Sequence, residues 1–409
     1  MLDAVANTFA GRKTEAGKKL LHWNENRRDD NGRVALVLGG LTHILETDDL
    51  HRASVTHPGC VIVPVVLALG RNAKLSGNDL LDAALHGFEA MCRVGMAVGR
   101  QHYKIWHNTA TCGPYGSAMA AAALIHLDIE KSVHALGNAG TQSAGLWQFL
   151  ETGAMSKHLH AGRAAEAGIV SAELAALDFT GPPAILEGDR GFFAATCPDA
   201  NPDRMTIAPE DPWQLTQTSI KPWPSCRHTH AVIEAALELH RKIDGRKISR
   251  VHIETYQAAL DLCDQPDPNS VYAAKFSLQH CAAISLLTGK VSFDSFDASA
   301  RQQSCDIRSL VNAESSNPFV SAYPEHWGAS VSVELAGGSK LKASRVDSKG
   351  DPELPLTESD MTDKADELLS YAGLADAEAK SVISTILNIG DNPSPGKELD
   401  RMVTQLLNV

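Results

Sequence analysis

The sequence predicts a mainly α-helical protein, with a large all-helical domain and a smaller α+β domain inserted before the last helices. Three observations carry this. Apolar residues recur at three-to-four spacing through most of the first 215 positions, strand-like alternation replaces that spacing beyond a proline-rich stretch, and helical spacing returns from residue 358 onward.

Taken in order, helical periodicity covers 33–47, 60–74, 78–100, 116–127, 129–150 and 157–176. In GSAMAAAALIHL and GNAGTQSAGLWQFL, small residues along one face permit the short interaxial distances of a multi-helix bundle. The texture changes from Pro212, and KPWPSCRHTH then places two prolines within four residues. A helix at 229–243 follows, then KISRVHIETY as a strand. SVSVELAGGSKLKASRV reads as a hairpin turning at Gly337-Gly338. The segments 358–373, 375–389 and 395–407 are helical again. The expected domains are therefore 1–215 with 352–409, all helical, and 216–351, α+β.

A chain of 409 residues is long for one core, and 44% hydrophobic with 21% charged residues is an ordinary globular composition. The net charge of −12, with no basic run, argues against nucleic acid and anionic membranes as partners. It leaves room for a small anion, because a few cations in one cleft dominate the local field. Eight scattered cysteines without a CxxC pair suggest neither a disulfide framework nor a zinc ribbon, which favours a reducing, cytoplasmic setting. MLDAVANTFAG lacks the pattern of a secretory signal, and no run of 18 apolar residues offers a membrane span.

The densest chemistry lies in ETDDLHRASVTHPG, where Glu46, Asp48, Asp49, His51 and His57 fall between two apolar helical runs. The plainer alternative is a polar turn in which Asp48 or Asp49 caps a helix and the histidines sit on the surface. Four further clusters stand beside glycine and proline turns. They are His107 in WHNTATCGPYGS, Lys157 with His158 and His160 in GAMSKHLHAGRAA, Lys221 with Cys226, Arg227, His228 and His230 in SIKPWPSCRHTH, and Lys275 with His280 in AKFSLQHC.

Together these stretches resemble the MmgE/PrpD family, whose members include 2-methylcitrate dehydratases, cis-aconitate decarboxylases and an iminodisuccinate epimerase. The resemblance rests on ordered motifs: Asp48 to His51, His57 to Gly59, His107 before a small-residue helix, then GAMSKHLHAGRAAEAG, GDRGFF, KPWPSC and AKFSLQHC. It implies a large helical domain, a smaller α+β lid domain, and a homodimer with its active site between domains. Carried over by position, the family's site residues fall on Asp48 or Asp49 with Glu46, on His57, His107, Lys157 and Lys221, and on His280 where many relatives have tyrosine. Glu46 replaces a common aspartate and Leu50 a common threonine. The chain also begins about where the family's first helix usually ends.

The implied chemistry is removal of a proton beside a carboxylate of a small di- or tricarboxylate, without metal or cofactor. The negative charge that builds would be stabilised by Lys157 and Lys221. His57 and His107 are the expected acid and base, since imidazole titrates near neutrality. Asp49 either orients His57 or acts as a base itself. Glu46, Asp48, His51, His160, Arg227 and His280 are expected to contact substrate. Dehydration of a 2-methylcitrate-like acid leads, with decarboxylation and epimerisation as alternatives. One rival is a metal site on Cys226-x-His228-x-His230, although that spacing is unusual for zinc. Another is a helical scaffold that has lost activity.

Overall fold

Helix formation in the first part of the chain begins with side-chain caps. Thr14, Asp30, Ser76 and Asp128 each accept a backbone N–H at a helix start, supplying acceptors that the first turn cannot provide for itself. The computed structural model describes residues 1–27, 29–71, 73–206 and 211–408. These residues form two compact units, Met1–Ile220 with Thr357–Val409, and Lys221–Leu356.

In the first unit, the helices Asn31–His43, Gly59–Gly70, Gly77–Ala97, Asn108–Leu124 and Ser156–Ala176 pack side by side around a core of small and branched residues. Small residues set the closeness of the packing. A β-carbon at Gly162 would run into the Leu36 carbonyl, so the helices Ser156–Ala176 and Asn31–His43 meet backbone to backbone. Helix Glu358–Tyr371 belongs to this unit, and its Lys364 ammonium pairs with Asp3 and donates to the Thr47 carbonyl at 2.7 Å.

The second unit is built on a four-stranded sheet in the order Val311–Ser315, Ile248–Thr255, Ala329–Leu335, Lys340–Arg345. The first pair is parallel and the other two are antiparallel. Helix His230–Ile243 covers one face, closing a core that includes Leu239, Val251, Ile253, Val331 and Val333. The fold class read from periodicity holds: mainly helical, with a smaller α+β part.

Two expected helices differ from those observed. The segment 129–150 stops being helical at Gly140, and a short 3-10 turn follows at Trp147–Glu151. Between them Gly145 adopts φ +146°, which side-chain-bearing residues rarely take, and its carbonyl accepts the His107 N–H at 2.9 Å. The helix expected at 116 starts at Asn108 and runs through Pro114, which reads in sequence as a break. Helices Leu2–Gly11 and Glu15–Asn24 lie where no separate element was drawn. No helix among the described residues is long and apolar enough to cross a membrane.

Candidate active site

In the first unit, three helix ends and one loop bring histidines, carboxylates and a lysine together. His43 closes helix Asn31–His43, His107 precedes helix Asn108–Leu124, and Lys157 opens helix Ser156–Ala176. The loop from 44 to 58 carries Glu46, Asp48, Asp49 and His57. Within it Leu50–His51 pairs antiparallel with Thr218–Ser219, and Glu46 takes φ +61°.

Asp48 is buried, and its Oδ2 lies 2.6 Å from His43 Nδ1 and 3.4 Å from His57 Nδ1. His57 Nδ1 also lies 2.6 Å from the Asp49 carbonyl oxygen. A carbonyl can only accept, so Nδ1 carries a hydrogen and Nε2 is the atom that takes or gives a proton. The neighbouring Asp48 carboxylate favours the cation that forms when His57 accepts one. Lys157 forms a buried ion pair with Glu46.

His107 is buried with its ring against Trp147, at a centroid distance of 4.6 Å, and its Nδ1 is 3.3 Å from His160 Nδ1. Burial first, then the charges of His43, Lys157, His160 and His57, push its basicity well below the usual histidine value. The same forces, burial foremost, lower His160 to about 4 and His158 to about 3. These three rings are neutral at pH 7. His160 also forms part of the wall of an open pocket of about 580 Å³, with Trp106, Gly145, Leu146, Phe149 and Ser156.

Among the residues expected from sequence, Glu46, Asp48, His57, His107, Lys157 and His160 therefore gather in one place. Others have different surroundings. The Asp49 side chain accepts the Gly59 N–H with both oxygens, at 2.9 and 3.0 Å, and so caps helix Gly59–Gly70. Its backbone carbonyl, not its carboxylate, orients His57. Burial and the nearby Asp3 and Asp48 raise the Asp49 carboxyl well above its ordinary value. His51 is wholly buried, with Nδ1 on Ser54 at 2.8 Å and Nε2 on Gln214 at 3.1 Å. Both ring nitrogens of His51, expected to contact substrate, are engaged with protein.

In the second unit His280 and Arg227 are likewise engaged with protein groups. His280 Nε2 donates to the Ser295 carbonyl at 2.8 Å and Nδ1 meets the Ser304 hydroxyl at 3.2 Å, in a ring with no exposed surface. Arg227 forms a buried ion pair with Asp351. Lys221 is buried in this unit. The rival metal motif does not assemble: His228 Nδ1 lies 2.6 Å from the Tyr256 hydroxyl and His230 Nε2 lies 3.3 Å from the Ser225 carbonyl. Among the described residues, two other groups bring three potential donors within 4.8 Å of one another, namely His43–Asp48–Cys60 and His326–Asp347–Glu353. In the first, His43 is directed at Asp48, and the Cys60 thiol, kept protonated by burial and by Asp48 and Asp49, donates to the His57 carbonyl.

His43 is the residue that sequence reasoning missed. It ends an apolar helical run, where a histidine reads as core. Its position five residues before Asp48 was the available signal.

A buried histidine–carboxylate–lysine cluster on rigid helix ends is equipment for moving protons on and off a bound molecule. Residues 1–205 match the MmgE/PrpD N-terminal domain and residues 223–389 the MmgE/PrpD C-terminal domain, so the chain belongs to the MmgE/PrpD family. The resemblance drawn from ordered motifs is thereby borne out. Its relatives include the cis-aconitate decarboxylase of Homo sapiens, 27% identical over 393 residues, covering 88% of this chain and 80% of the relative. The Mus musculus enzyme of the same name is 27% identical over 399 residues, with coverage of 89% and 80%. A cis-aconitate decarboxylase-like protein of Aspergillus oryzae is 26% identical over 376 residues, with coverage of 84% and 77%.

Proposed function

We propose that this protein is a lyase acting on a small di- or tricarboxylate, with decarboxylation of a cis-aconitate-like acid as the leading reaction. The observation that carries the reading is the Asp48–His57 arrangement, in which Nδ1 is held by the Asp49 carbonyl beside the Asp48 carboxylate, so that the ring exchanges a proton with carbon through Nε2. Loss of carbon dioxide breaks one carbon–carbon bond and leaves its electron pair on the substrate, where a C–H bond must form. Histidinium at His57 supplies that proton, and the enzyme recovers it from water. Lys157, held by Glu46, offers fixed positive charge to a substrate carboxylate. Lys221, in the second unit, enters this reading through sequence resemblance alone.

The names of the relatives above support reading decarboxylation ahead of the dehydration that the motifs first suggested. Dehydration of a 2-methylcitrate-like acid remains the second reading, because it begins from the same histidine and carboxylate equipment. The test is proton NMR in D2O of purified protein with cis-aconitate, citrate, 2-methylcitrate and iminodisuccinate. New vinyl methylene signals from cis-aconitate alone support the leading reading. Loss of water from 2-methylcitrate alone supports the second, and deuterium exchange without net loss from iminodisuccinate indicates epimerisation. Silence with all four contradicts the assignment and favours the inactive scaffold.

A further inference from the structure

His43 is absent from the chemistry just described, although it occupies the centre of the cluster. Its surface is 0% exposed, so it cannot itself touch substrate. Its ring meets His57 edge-on at 4.8 Å and stacks on His107 at 5.7 Å with an interplanar angle of 17°. Its Nδ1 lies 2.6 Å from the Asp48 oxygen that also faces His57.

We infer that His43 is a positioning residue for proton transfer: by donating to Asp48 it aims that carboxylate at His57 and sets the spacing of the His57 and His107 rings. Asp48 has a single side-chain torsion to the carboxyl carbon and a second that rotates its oxygens. The His43 bond fixes the second, so that one oxygen serves both rings. Without it the carboxylate would be drawn to its other neighbours.

Those neighbours come from every element packed on the ring. Glu46 and Asp49 share its loop, and Cys60 lies in the next helix. Lys157, His158 and His160 come from helix Ser156–Ala176. After burial, the His43 charge is the largest influence lowering His107, His158 and His160, which accords with a central position. The His43 Nε2 atom is buried without a hydrogen-bond partner among the described residues, so the bond to Asp48 is the one that holds the ring.

The inference rests on the proposed function only for its kinetic arm. His43→Leu removes the donor, and His43→Asn restores an amide hydrogen near the Nδ1 position. His43→Leu should lower kcat about tenfold or more while KM changes less than about twofold, as for other residues that orient a reacting group, and His43→Asn should recover most of the loss. The second arm needs no substrate: the Cε1–H NMR titration of His57, identified by its loss in His57→Gln, should move to higher pH in His43→Leu. Asp48, no longer held by His43, is then released to His57. An unmoved His57 midpoint, or equal kcat in the leucine and asparagine variants, would overturn the inference. Should His43→Leu fail to fold, Asp48→Asn severs the same link, and the His57 midpoint should then fall through loss of the carboxylate. A protein that turns over none of the acids but shows the titration shifts refutes the function and keeps the positioning role.

Discussion

Acid should weaken the second unit before its carboxylates are protonated, because two of its buried histidines are committed to the neutral form. His228, stacked on Trp327 at 4.4 Å, is lowered to about 3 by burial and then by Arg227 and Lys221. His280 is lowered to about 4, again by burial foremost. In the unfolded chain both titrate near about 6.5. Below that value the unfolded state binds more protons than the folded one, so the stability these rings carry is intact above pH 6.5 and drains away as pH falls toward their folded values. At pH 5 each ring is about 1.5 units below its unfolded pKa and still neutral when folded, a loss of about 2 kcal/mol per ring and about 4 for the pair. Domains of this kind are stable by only about 5–15 kcal/mol in total. Urea unfolding followed by tryptophan fluorescence should therefore show the midpoint falling steeply between pH 7 and pH 5. The His280→Gln variant should lose about half of that slope. A midpoint that stays level over the range, or a slope unchanged in His280→Gln, would refute the reasoning.

Other perturbations have equally direct readouts. Gly162→Ala should destabilise the first unit by about 3 kcal/mol, measured by urea unfolding, because the new methyl meets the Leu36 carbonyl and cannot be accommodated by a side-chain rotation. Asp351→Asn should cost the second unit about 3 kcal/mol in the same assay, since it leaves the buried Arg227 guanidinium without its counter-charge. Glu46→Gln should destabilise by a similar amount of about 3 kcal/mol, and adding Lys157→Met should recover part of that stability while leaving turnover abolished.

Periodicity carried most of the architecture. The start of helix Gly59–Gly70, though not its end, drawn at 74, and the hairpin Ala329–Leu335 with Lys340–Arg345 follow from patterns any reader can mark, because burial on one face imposes the spacing directly. The failures have a common cause in tertiary contacts. Helix 129–150 was overextended because Gly145 reads as one more small residue until the His107 N–H that its carbonyl accepts is known. The site divides in the same way. Residue types and motif order located Asp48, His57, His107 and Lys157, whereas His51 and His280 carry the same chemistry in sequence and differ only in having both ring nitrogens taken by Gln214 and Ser54, or by Ser295 and Ser304. Hydrogen-bond partners more than a few residues away leave no trace in local spacing. His43 was missed for the converse reason, since an apolar neighbourhood conceals a polar partner five residues on.

The bare crossing at Gly162 and Leu36 also determines what can be redesigned. Two helices that touch through their backbones have no intervening side chain whose size could alter their separation, so the interval between the end of one and the start of the other behaves as a ruler engraved in the main chain. His43 and Lys157 sit at the two ends of that ruler. Substitutions in the pocket wall at Leu146, Gln148 and Phe149 can therefore reshape the pocket and its choice of acid while the two anchors keep their distance. New substrates should accordingly be sought through loop libraries, with the helix crossing left untouched.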